Sequence, residues 1–208
     1  MKITNYKRLL FAGDSITDAD HLWEPGFDGL GNGFVHMISE MLKLQAALSE
    51  PPVIINSGFN GYRAEDLLRR WNQVCLSKNP DLVTLLVGVN EAGAAMEGMI
   101  TTPDMFRRTY TRLITEVLEN TQADMILVEP FLFDRPAYLI AWRKYFDPLL
   151  PVIGELAEEY HLPLLRLDQP LNELAERLGT DAVTRDGIHL TETGNRFLAE
   201  AWLRLVNA

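Results

Sequence analysis

The chain has little cysteine and no long apolar stretch. Cys75 is the single cysteine among 208 residues, so no disulfide can form within the chain, and a disulfide-stapled secreted domain is excluded. No apolar run is long enough to span a bilayer, and the run at residues 9–12 stops at Gly13, too early for the core of a signal peptide. These absences lead us to expect a cytoplasmic protein in a reducing compartment.

Positive charge is also scarce. The 19 lysines and arginines are outnumbered by 29 aspartates and glutamates, which leaves a formal net charge of −10. Such a chain repels nucleic-acid phosphates and anionic membrane surfaces, so we expect neither as a partner. A neutral small molecule or sugar is the expected ligand. A chain of this length is most simply one domain, residues 1–208, with a core of its own.

Five short apolar runs have the composition of buried strands, and helical patterns separate them. Strands that alternate with helices predict a parallel sheet covered by helices on both faces, which is a three-layer α/β/α sandwich. The strand runs are residues 9–12, 53–55, 82–87, 125–128 and 162–167. Helices are predicted at residues 34–48, from 64, from 103, over 135–160 with breaks at Pro148 and Pro151, at 171–178 and at the end of the chain.

Several common site motifs are missing. The chain lacks the Gly-x-Ser-x-Gly elbow, the Gly-x-x-x-x-Gly-Lys phosphate loop and the His-Glu-x-x-His zinc helix. Gly29, Gly31 and Gly33 have the wrong spacing for a dinucleotide fingerprint, and no strand precedes them. We therefore expect a protein that uses no cofactor and no metal ion.

The turns after the first three strands carry candidate catalytic residues. Ser15 follows the first strand, Gly61 or Gly58 follows the second, and Asn90 follows the third. Parallel strands end at the same edge of a sheet, where α/β proteins bind ligands. A serine hydroxyl can attack an acyl carbonyl, and backbone or side-chain amides can stabilise the oxyanion that forms. Taken singly, each residue is also compatible with an ordinary turn or helix cap.

A nucleophilic serine needs a base, and histidine is the usual one because its pKa lies near neutrality. Among the four histidines we select His189, which has a carboxylate three positions before it with a glycine in between, in Asp186-Gly187-Ile188-His189. Gly187 lets the chain turn so that the Asp186 carboxylate can accept a hydrogen bond from the imidazole. An Asp-x-x-His sequence alone is equally compatible with a structural or solvent-facing pair.

Taken together, these residues resemble the four motif blocks of the GDSL/SGNH hydrolase family. The resemblance implies a flavodoxin-like SGNH hydrolase fold with a five-stranded parallel sheet. It implies a serine esterase in which Ser15 is the nucleophile, His189 is the general base and acid, and Asp186 orients His189. It also implies an oxyanion hole formed by Ser15, Gly61 and Asn90. The blocks are Gly13-Asp14-Ser15, Gly61, Gly88-x-Asn90 and Asp186-x-x-His189, in this order over nearly the whole chain.

Within the family, residues 9–35 and 63–71 are most similar to intracellular bacterial acetylxylan esterases. This similarity implies deacetylation of xylo-oligosaccharides and assembly into homo-oligomers. Trp142, Tyr145 and Phe146 are either an interface patch for such an assembly or part of the core. Two other functions remain open: a lysophospholipase or thioesterase that uses the same residues, and a sugar-binding relative without catalysis, although the intact triad argues against the latter.

The chain departs from the family pattern at two blocks. The third block usually ends in Asn-Asp, whereas here Glu91 follows Asn90, and a longer side chain can shift the Asn90 amide. The second block continues with Tyr62 and Arg63 in place of the frequent Gly-x-x-Gly-Asp-Thr ending. These replacements leave the acyl or alcohol side of the site with a different shape.

Candidate substrate-binding residues lie next to the motif blocks. They are Asp14, Trp23 and Tyr62. The acidic and aromatic loop around His21, Trp23 and Phe27 is able to contact a sugar, because aromatic faces pack against the C–H surfaces of sugar rings. The alternative is that this loop packs on the core or at a subunit contact.

Overall fold

The computed structural model describes residues 1–21, 29–44 and 50–207. These residues contain a sheet of five strands, all parallel, and the fifth strand lies at one edge. The strands are β1 (Arg8–Gly13), β2 (Val53–Gly58), β3 (Leu82–Leu86), β4 (Asp124–Val128) and β5 (Leu164–Leu165). Their order across the sheet is β2-β1-β3-β4-β5, which is the flavodoxin-like order.

Helices connect the strands and cover both faces of the sheet. They are α1 (Ser15–Asp18), α2 (Phe34–Lys43), α3 (Ala64–Arg69), α4 (Trp71–Val74), α5 (Val89–Met96), α6 (Pro103–Asn120), α7 (Ile140–Phe146), α8 (Leu150–Glu159), α9 (Asp168–Leu178), α10 (Thr180–Val183) and α11 (Glu192–Val206). Helices α3, α4, α6 and α8 pack on one face, and α2, α5, α7, α9 and α11 pack on the other. The predicted three-layer sandwich is confirmed. Within the described residues, no helix is both long and apolar enough to cross a membrane.

Each face of the sheet has its own hydrophobic core, because successive side chains of a strand point to opposite faces. Phe11 packs with Phe34 and Trp202 on one face, with ring centroids 5.8 and 5.2 Å from that of Phe11. Leu10 contributes to the other core together with Tyr110. This alternation explains why the runs of the central strands are almost entirely apolar: a strand covered on both sides has few solvent-facing positions.

The aromatic residues of α7 belong to the core rather than to an exposed patch. Phe146 is fully buried, and Trp142 and Tyr145 are partly buried and pack against the same core. The Trp142 ring lies so close to α5 that a Cβ at Gly93 would come within 2.8 Å of it. The core interpretation of these three residues is therefore the one that the structure favours.

The fifth strand is shorter than predicted because the residues on either side of it do not donate their backbone amides to β4. The Leu162 amide donates to the Ala157 carbonyl at 2.8 Å, at the end of α8. Pro163 has no N–H to donate. The Leu167 amide donates to the Glu129 carboxylate at 3.3 Å. Only two residues of the apolar run are left to pair with β4.

Two helices also differ from the prediction. We predicted a turn at residues 88–91, but Val89 begins α5, whose three alanines favour a helix. Asn90 therefore lies in the first turn of a helix. Helix α2 ends at Lys43 rather than near residue 48, and residues 45–49 lie outside the described part of the chain.

The three strands that lead to the candidate residues end at the same level. Gly13, the last residue of β1, pairs with Gly58 in β2 and with Leu86 in β3. Because β1 lies between the other two strands, the segments that follow all three meet at one edge of the sheet. This register places the candidate residues after β1, β2 and β3 next to one another.

Candidate active site

A serine, a histidine and an aspartate form a hydrogen-bonded row at this edge. Ser15 is the first residue of α1, directly after the turn that ends β1. His189 Nε2 lies 2.9 Å from Ser15 Oγ. On the other side of the ring, His189 Nδ1 lies 2.6 Å from Asp186 Oδ2. The structure thus brings Ser15 together with the local pair Asp186 and His189 from the other end of the chain, at a distance that allows proton transfer between serine and histidine.

The local sequence around His189 forms a tight loop that holds the ring in place. The Asp186 Oδ1 atom accepts hydrogen bonds from the backbone amides of Ile188 at 2.9 Å and His189 at 2.8 Å. Gly187 has a φ of 91°, and a Cβ at this position would lie 2.1 Å from the Arg135 carbonyl oxygen. Only glycine fits both the left-handed backbone and the close approach.

The electrostatics of this loop favour a negatively charged aspartate. Burial acts to raise the pKa of Asp186, but the hydrogen bonds from the His189 ring and from the two backbone amides outweigh it, so its pKa lies below the ordinary value. The side chains of His189 and Asp186 are 43% and 47% exposed. Water can therefore reach the imidazole.

The two candidate glycines, one at the end of β2 and one in the turn after it, have different surroundings. Gly58 is buried, its amide donates to Asn56 Oδ1 at 2.9 Å, and a Cβ there would lie 2.1 Å from the Asp18 nitrogen. Gly61 is exposed, has a φ of 75°, and has no atom within 4 Å of a Cβ built on it. Gly61 has the open surroundings that an approaching substrate needs, and Gly58 is a packing residue.

Asn90 lies close to the Gly61 segment. Its Nδ2 atom donates a hydrogen bond to the Tyr62 carbonyl oxygen at 2.9 Å. A side-chain amide has two hydrogens, so one remains for another acceptor. The hydrogen bond fixes the orientation of the Asn90 amide relative to the residue that follows Gly61.

A cavity of about 290 Å³ lies beside Ser15 and His189. Most of the residues that line it are polar. The sequence pattern did not identify most of them as site residues, because they come from separate segments of the chain. Asp18 was the easiest to find from the sequence, since it lies one turn after Ser15 in α1; its carboxylate is hydrogen-bonded to the His21 ring. The polar lining includes Asp18, Asp20, Asn32, Asn60, Arg185 and Asn195. In the described part of the chain, no three His, Cys, Asp or Glu side chains are grouped as metal ligands.

The prediction that Asp14 binds substrate is wrong. Its side chain has no exposed surface, and Asp14 Oδ1 accepts a hydrogen bond from the Ile16 amide at 3.0 Å. Asp14 is thus the N-cap of α1. Its effect on the site is to fix the backbone on either side of Ser15.

Tyr62 is held by contacts within the protein. Its ring stacks on Phe59 with centroids 4.9 Å apart, and its hydroxyl accepts a hydrogen bond from Arg70 Nη1 at 2.8 Å. A role for Tyr62 in substrate binding stays a prediction. Trp23 and Phe27 lie outside the described residues.

Two buried carboxyl groups lie behind the candidate site. Burial raises the pKa of Asp14 from 3.8 to about 7, against the hydrogen bond from Ile16 and with a further increase from the charge of Glu91. Burial also raises the pKa of Glu91 from 4.5 to about 7, against its hydrogen bond from the Ala64 amide. Burial raises the pKa of the neighbouring Tyr110, and the charges of Glu91 and Asp14 raise it further. Near neutral pH, these two acids are therefore partly protonated in the folded protein.

This pair predicts a pH dependence of stability. The folded protein keeps protons on Asp14 and Glu91 that the unfolded chain releases, so the free energy of unfolding falls as pH rises from about 4 to about 7. Each group contributes at most about 1.4 kcal/mol per pH unit. Urea unfolding at several pH values, compared between the native chain and an Asp14→Asn/Glu91→Gln double variant, measures the contribution. Parallel curves for the two proteins would contradict the prediction.

Comparison with known proteins places this arrangement in a family. The model of the GDSL-like lipase/acylhydrolase family matches residues 11–197. An acetylxylan esterase of Geobacillus stearothermophilus is 29% identical over 213 residues, which cover 98% of this chain and 95% of that protein.

Solved structures agree with the sequence match. The crystal structure of a Geobacillus stearothermophilus acetylxylan esterase superimposes with a TM-score of 0.85 at 26% identity, over all of this chain and 97% of that one. A protein of Parabacteroides merdae described as a GDSL-like lipase superimposes with a TM-score of 0.89 at 25% identity, over 99% of both chains. The chain therefore belongs to the GDSL-like lipase/acylhydrolase family of ester hydrolases.

Proposed function

We propose that the protein is a cofactor-independent serine esterase that removes acetyl groups from acetylated oligosaccharides, with xylo-oligosaccharides as the substrate class. The observation that carries this proposal is the row of hydrogen bonds from Ser15 Oγ to His189 Nε2 at 2.9 Å and from His189 Nδ1 to Asp186 Oδ2 at 2.6 Å. It supports the assignment of nucleophile, base and orienting carboxylate to these three residues.

The first half of the reaction forms an acyl-enzyme. His189 Nε2 takes the proton of Ser15 as Ser15 Oγ attacks the acetyl carbonyl. Asp186 keeps the imidazole in the required tautomer and stabilises the imidazolium. The carbonyl oxygen becomes an oxyanion, which accepts hydrogen bonds from the Ser15 and Gly61 amides and from the Asn90 side chain. When the intermediate collapses, His189 returns the proton to the sugar oxygen, and the deacetylated sugar leaves.

The second half of the reaction releases acetate. A water molecule loses a proton to His189 Nε2 and attacks the acetyl-serine carbonyl, which forms a second oxyanion at the same donors. Collapse of this intermediate breaks the ester bond to Ser15, and the proton on His189 returns to Ser15 Oγ. The exposure of the His189 side chain, 43%, is suited to this step because water must reach the ring.

The polar cavity supports a sugar as the alcohol. Carboxylates, amides and a guanidinium can hydrogen-bond to sugar hydroxyls, whereas a long acyl chain requires an apolar channel. The Geobacillus stearothermophilus relative is described as an acetylxylan esterase and an acetyl-xylooligosaccharide esterase. Its catalytic mutants replace a serine, an aspartate and a histidine by alanine, the same three residue types. A lysophospholipase or thioesterase activity is not favoured by these observations.

Two further parts of the proposal concern the protein in the cell. Homo-oligomeric assembly is implied by the resemblance to acetylxylan esterases. Cytoplasmic location is inferred from the single cysteine, which fits a reducing compartment. Both stay predictions from the sequence.

The preference for short acyl groups is directly measurable. We expect kcat/KM for p-nitrophenyl acetate to exceed that for p-nitrophenyl octanoate by at least about tenfold, because a cavity of about 290 Å³ with mostly polar lining residues favours a sugar with a small acyl group, whereas a long acyl chain requires an apolar channel. Acetate release from acetylated xylo-oligosaccharides, beside other acetylated oligosaccharides, then identifies the sugar. A preference for octanoate would refute the deacetylase and favour a lipid or thioester substrate.

A further inference from the structure

Glu91 is a buried acid with one well-defined contact. It lies in the first turn of α5, and the residue is 5% exposed. Its Oε1 atom accepts a hydrogen bond from the Ala64 amide at 2.7 Å. Ala64 is the first residue of α3, and the first amides of a helix have no acceptor within that helix. Glu91 therefore satisfies the first amide of α3 from a different helix.

The neighbouring residue makes a parallel contact to the same segment. Asn90 Nδ2 donates to the Tyr62 carbonyl at 2.9 Å, two residues before Ala64. The segment that begins at Gly61 is thus hydrogen-bonded at Tyr62 and Ala64 to two consecutive side chains of α5. In the proposed reaction, Gly61 and Asn90 each supply a hydrogen bond to the oxyanion. The distance between these two donors depends on how the segment is held against α5.

We propose that Glu91 is a positioning residue of the oxyanion hole, which sets the place of the Gly61 amide relative to the Asn90 side chain through its hydrogen bond to the Ala64 amide. This inference rests on the proposed function. Glu91 itself does not touch the substrate; it acts through α3 and the segment that precedes it.

The remaining contacts of Glu91 fit a positioning role better than a stabilising one. Within the described residues, Glu91 Oε2 is buried and has no hydrogen-bond partner. A buried polar atom without a partner destabilises the folded state, so Glu91 does not have the environment of a residue retained for stability alone. An aspartate at this position would end about 1.5 Å short, one carbon–carbon bond, and could not reach Ala64 without moving a helix.

The proposal predicts a selective loss of turnover in Glu91→Met, which keeps the length of the side chain and removes the acceptor. We expect kcat for p-nitrophenyl acetate to fall by about 10- to 100-fold, since a small misplacement of a catalytic group has effects of this size. KM should stay within about twofold, because substrate binding does not use the oxyanion donors fully before the transition state forms. Glu91→Gln keeps an acceptor oxygen at the same reach and should retain at least about a third of kcat.

A second variant tests the same hydrogen bond from its donor. Ala64→Pro removes the amide hydrogen at the first position of α3 and puts a ring carbon where the Glu91 carboxylate accepts the bond, so Glu91 loses this contact, while the φ of proline fits the first position of a helix. The preceding residue, Arg63, is already extended, with φ −98° and ψ 170°, as a residue before proline must be. We expect Ala64→Pro to lower kcat about as much as Glu91→Met does. A variant with both substitutions should be no slower than the slower of the two single variants, because both remove the same hydrogen bond. This variant decides the question if Glu91→Met does not fold.

The control is Glu65→Met on α3, where the glutamate is exposed and pairs with Arg69. Its kcat should stay within about twofold of the native value. A folded Glu91→Met protein with native kcat, a rise in KM at unchanged kcat, or a Glu91→Gln variant as slow as Glu91→Met would overturn the proposal. If the native chain does not hydrolyse the acetate ester at all, the proposed function fails instead, so the two failures are distinguishable.

Discussion

Replacement of Ser15 by alanine is expected to lower kcat for acetyl ester hydrolysis by about 10⁴- to 10⁶-fold. Ser15 Oγ lies 2.9 Å from His189 Nε2, and within the described residues no other hydroxyl is hydrogen-bonded to that atom. Loss of a catalytic nucleophile has effects of this size. Initial rates with p-nitrophenyl acetate measure the loss. The remaining rate reports what the other groups of the site contribute without a covalent intermediate.

The matched control for this variant is Ser77→Ala. Ser77 is exposed, and its hydroxyl donates to the Gln73 carbonyl at 3.2 Å. It lies between α4 and β3, whereas Ser15 directly follows the turn after β1. Its kcat should stay within about twofold of the native value. Alanine is a good helix former at position 15, so both variants should fold. Unchanged hydrolysis in Ser15→Ala would mean that Ser15 is not the nucleophile.

Replacement of His189 by alanine is the second large effect that we expect. Without the imidazole, Ser15 has no base and the leaving sugar oxygen has no acid, so kcat should fall by about 10⁴-fold or more. Because the His189 side chain is 43% exposed and the cavity adjoins it, added imidazole can enter the vacated space. We expect it to restore part of the rate in a concentration-dependent way.

The control for the histidine is His161→Asn. His161 is exposed and has a φ of 53°, a conformation that asparagine accepts. This variant should keep native kcat and should not respond to imidazole. A His189→Ala protein that retains native turnover, or imidazole stimulation of the native chain to the same degree, would contradict the role of His189 as the base.

The two buried acids link catalysis to stability. Asp14 holds the amide of Ile16 beside the nucleophile, and Glu91 holds the amide of Ala64 beside the Gly61 segment. Each has one buried oxygen without a partner in the described structure, and burial raises the pKa of each to about 7. Residues that place catalytic groups often destabilise the fold, since their geometry is selected for the transition state.

The fold and the candidate residues were largely predictable from the chain. The β1 run is apolar at every position and the β3 run at every position but Thr84, because both faces of the sheet are covered, so their pattern contains no polar alternation that could be mistaken for a surface strand. Asp186 and His189 were predictable as a pair because their interaction is local and depends on one turn with a glycine. Local signals of this kind survive in the sequence because they need no other part of the molecule.

Other features depended on contacts between distant segments. The extent of β5 was not predictable because the Leu167 amide is taken by Glu129, 38 positions away. The substrate-binding prediction for Asp14 was wrong because its side chain is buried beside Gly88, Glu91 and Tyr110, which are far from it in the sequence. The choice between Gly58 and Gly61 followed from the close approach of Asp18 to Gly58, which no spacing in the sequence indicates.

The order of apolar runs and polar turns along the chain was thus enough to predict a parallel sheet with Ser15, a glycine after the second strand and Asn90 at its carboxyl edge, and to predict Asp186 and His189 as a local pair, because strand burial and turn chemistry are encoded by neighbouring residues. Only the tertiary structure decided which glycine is open to a substrate, which acids are buried and which amide donates a hydrogen bond to Glu91. Those properties arise from packing between segments far apart in the chain, where register and burial are set by the whole domain.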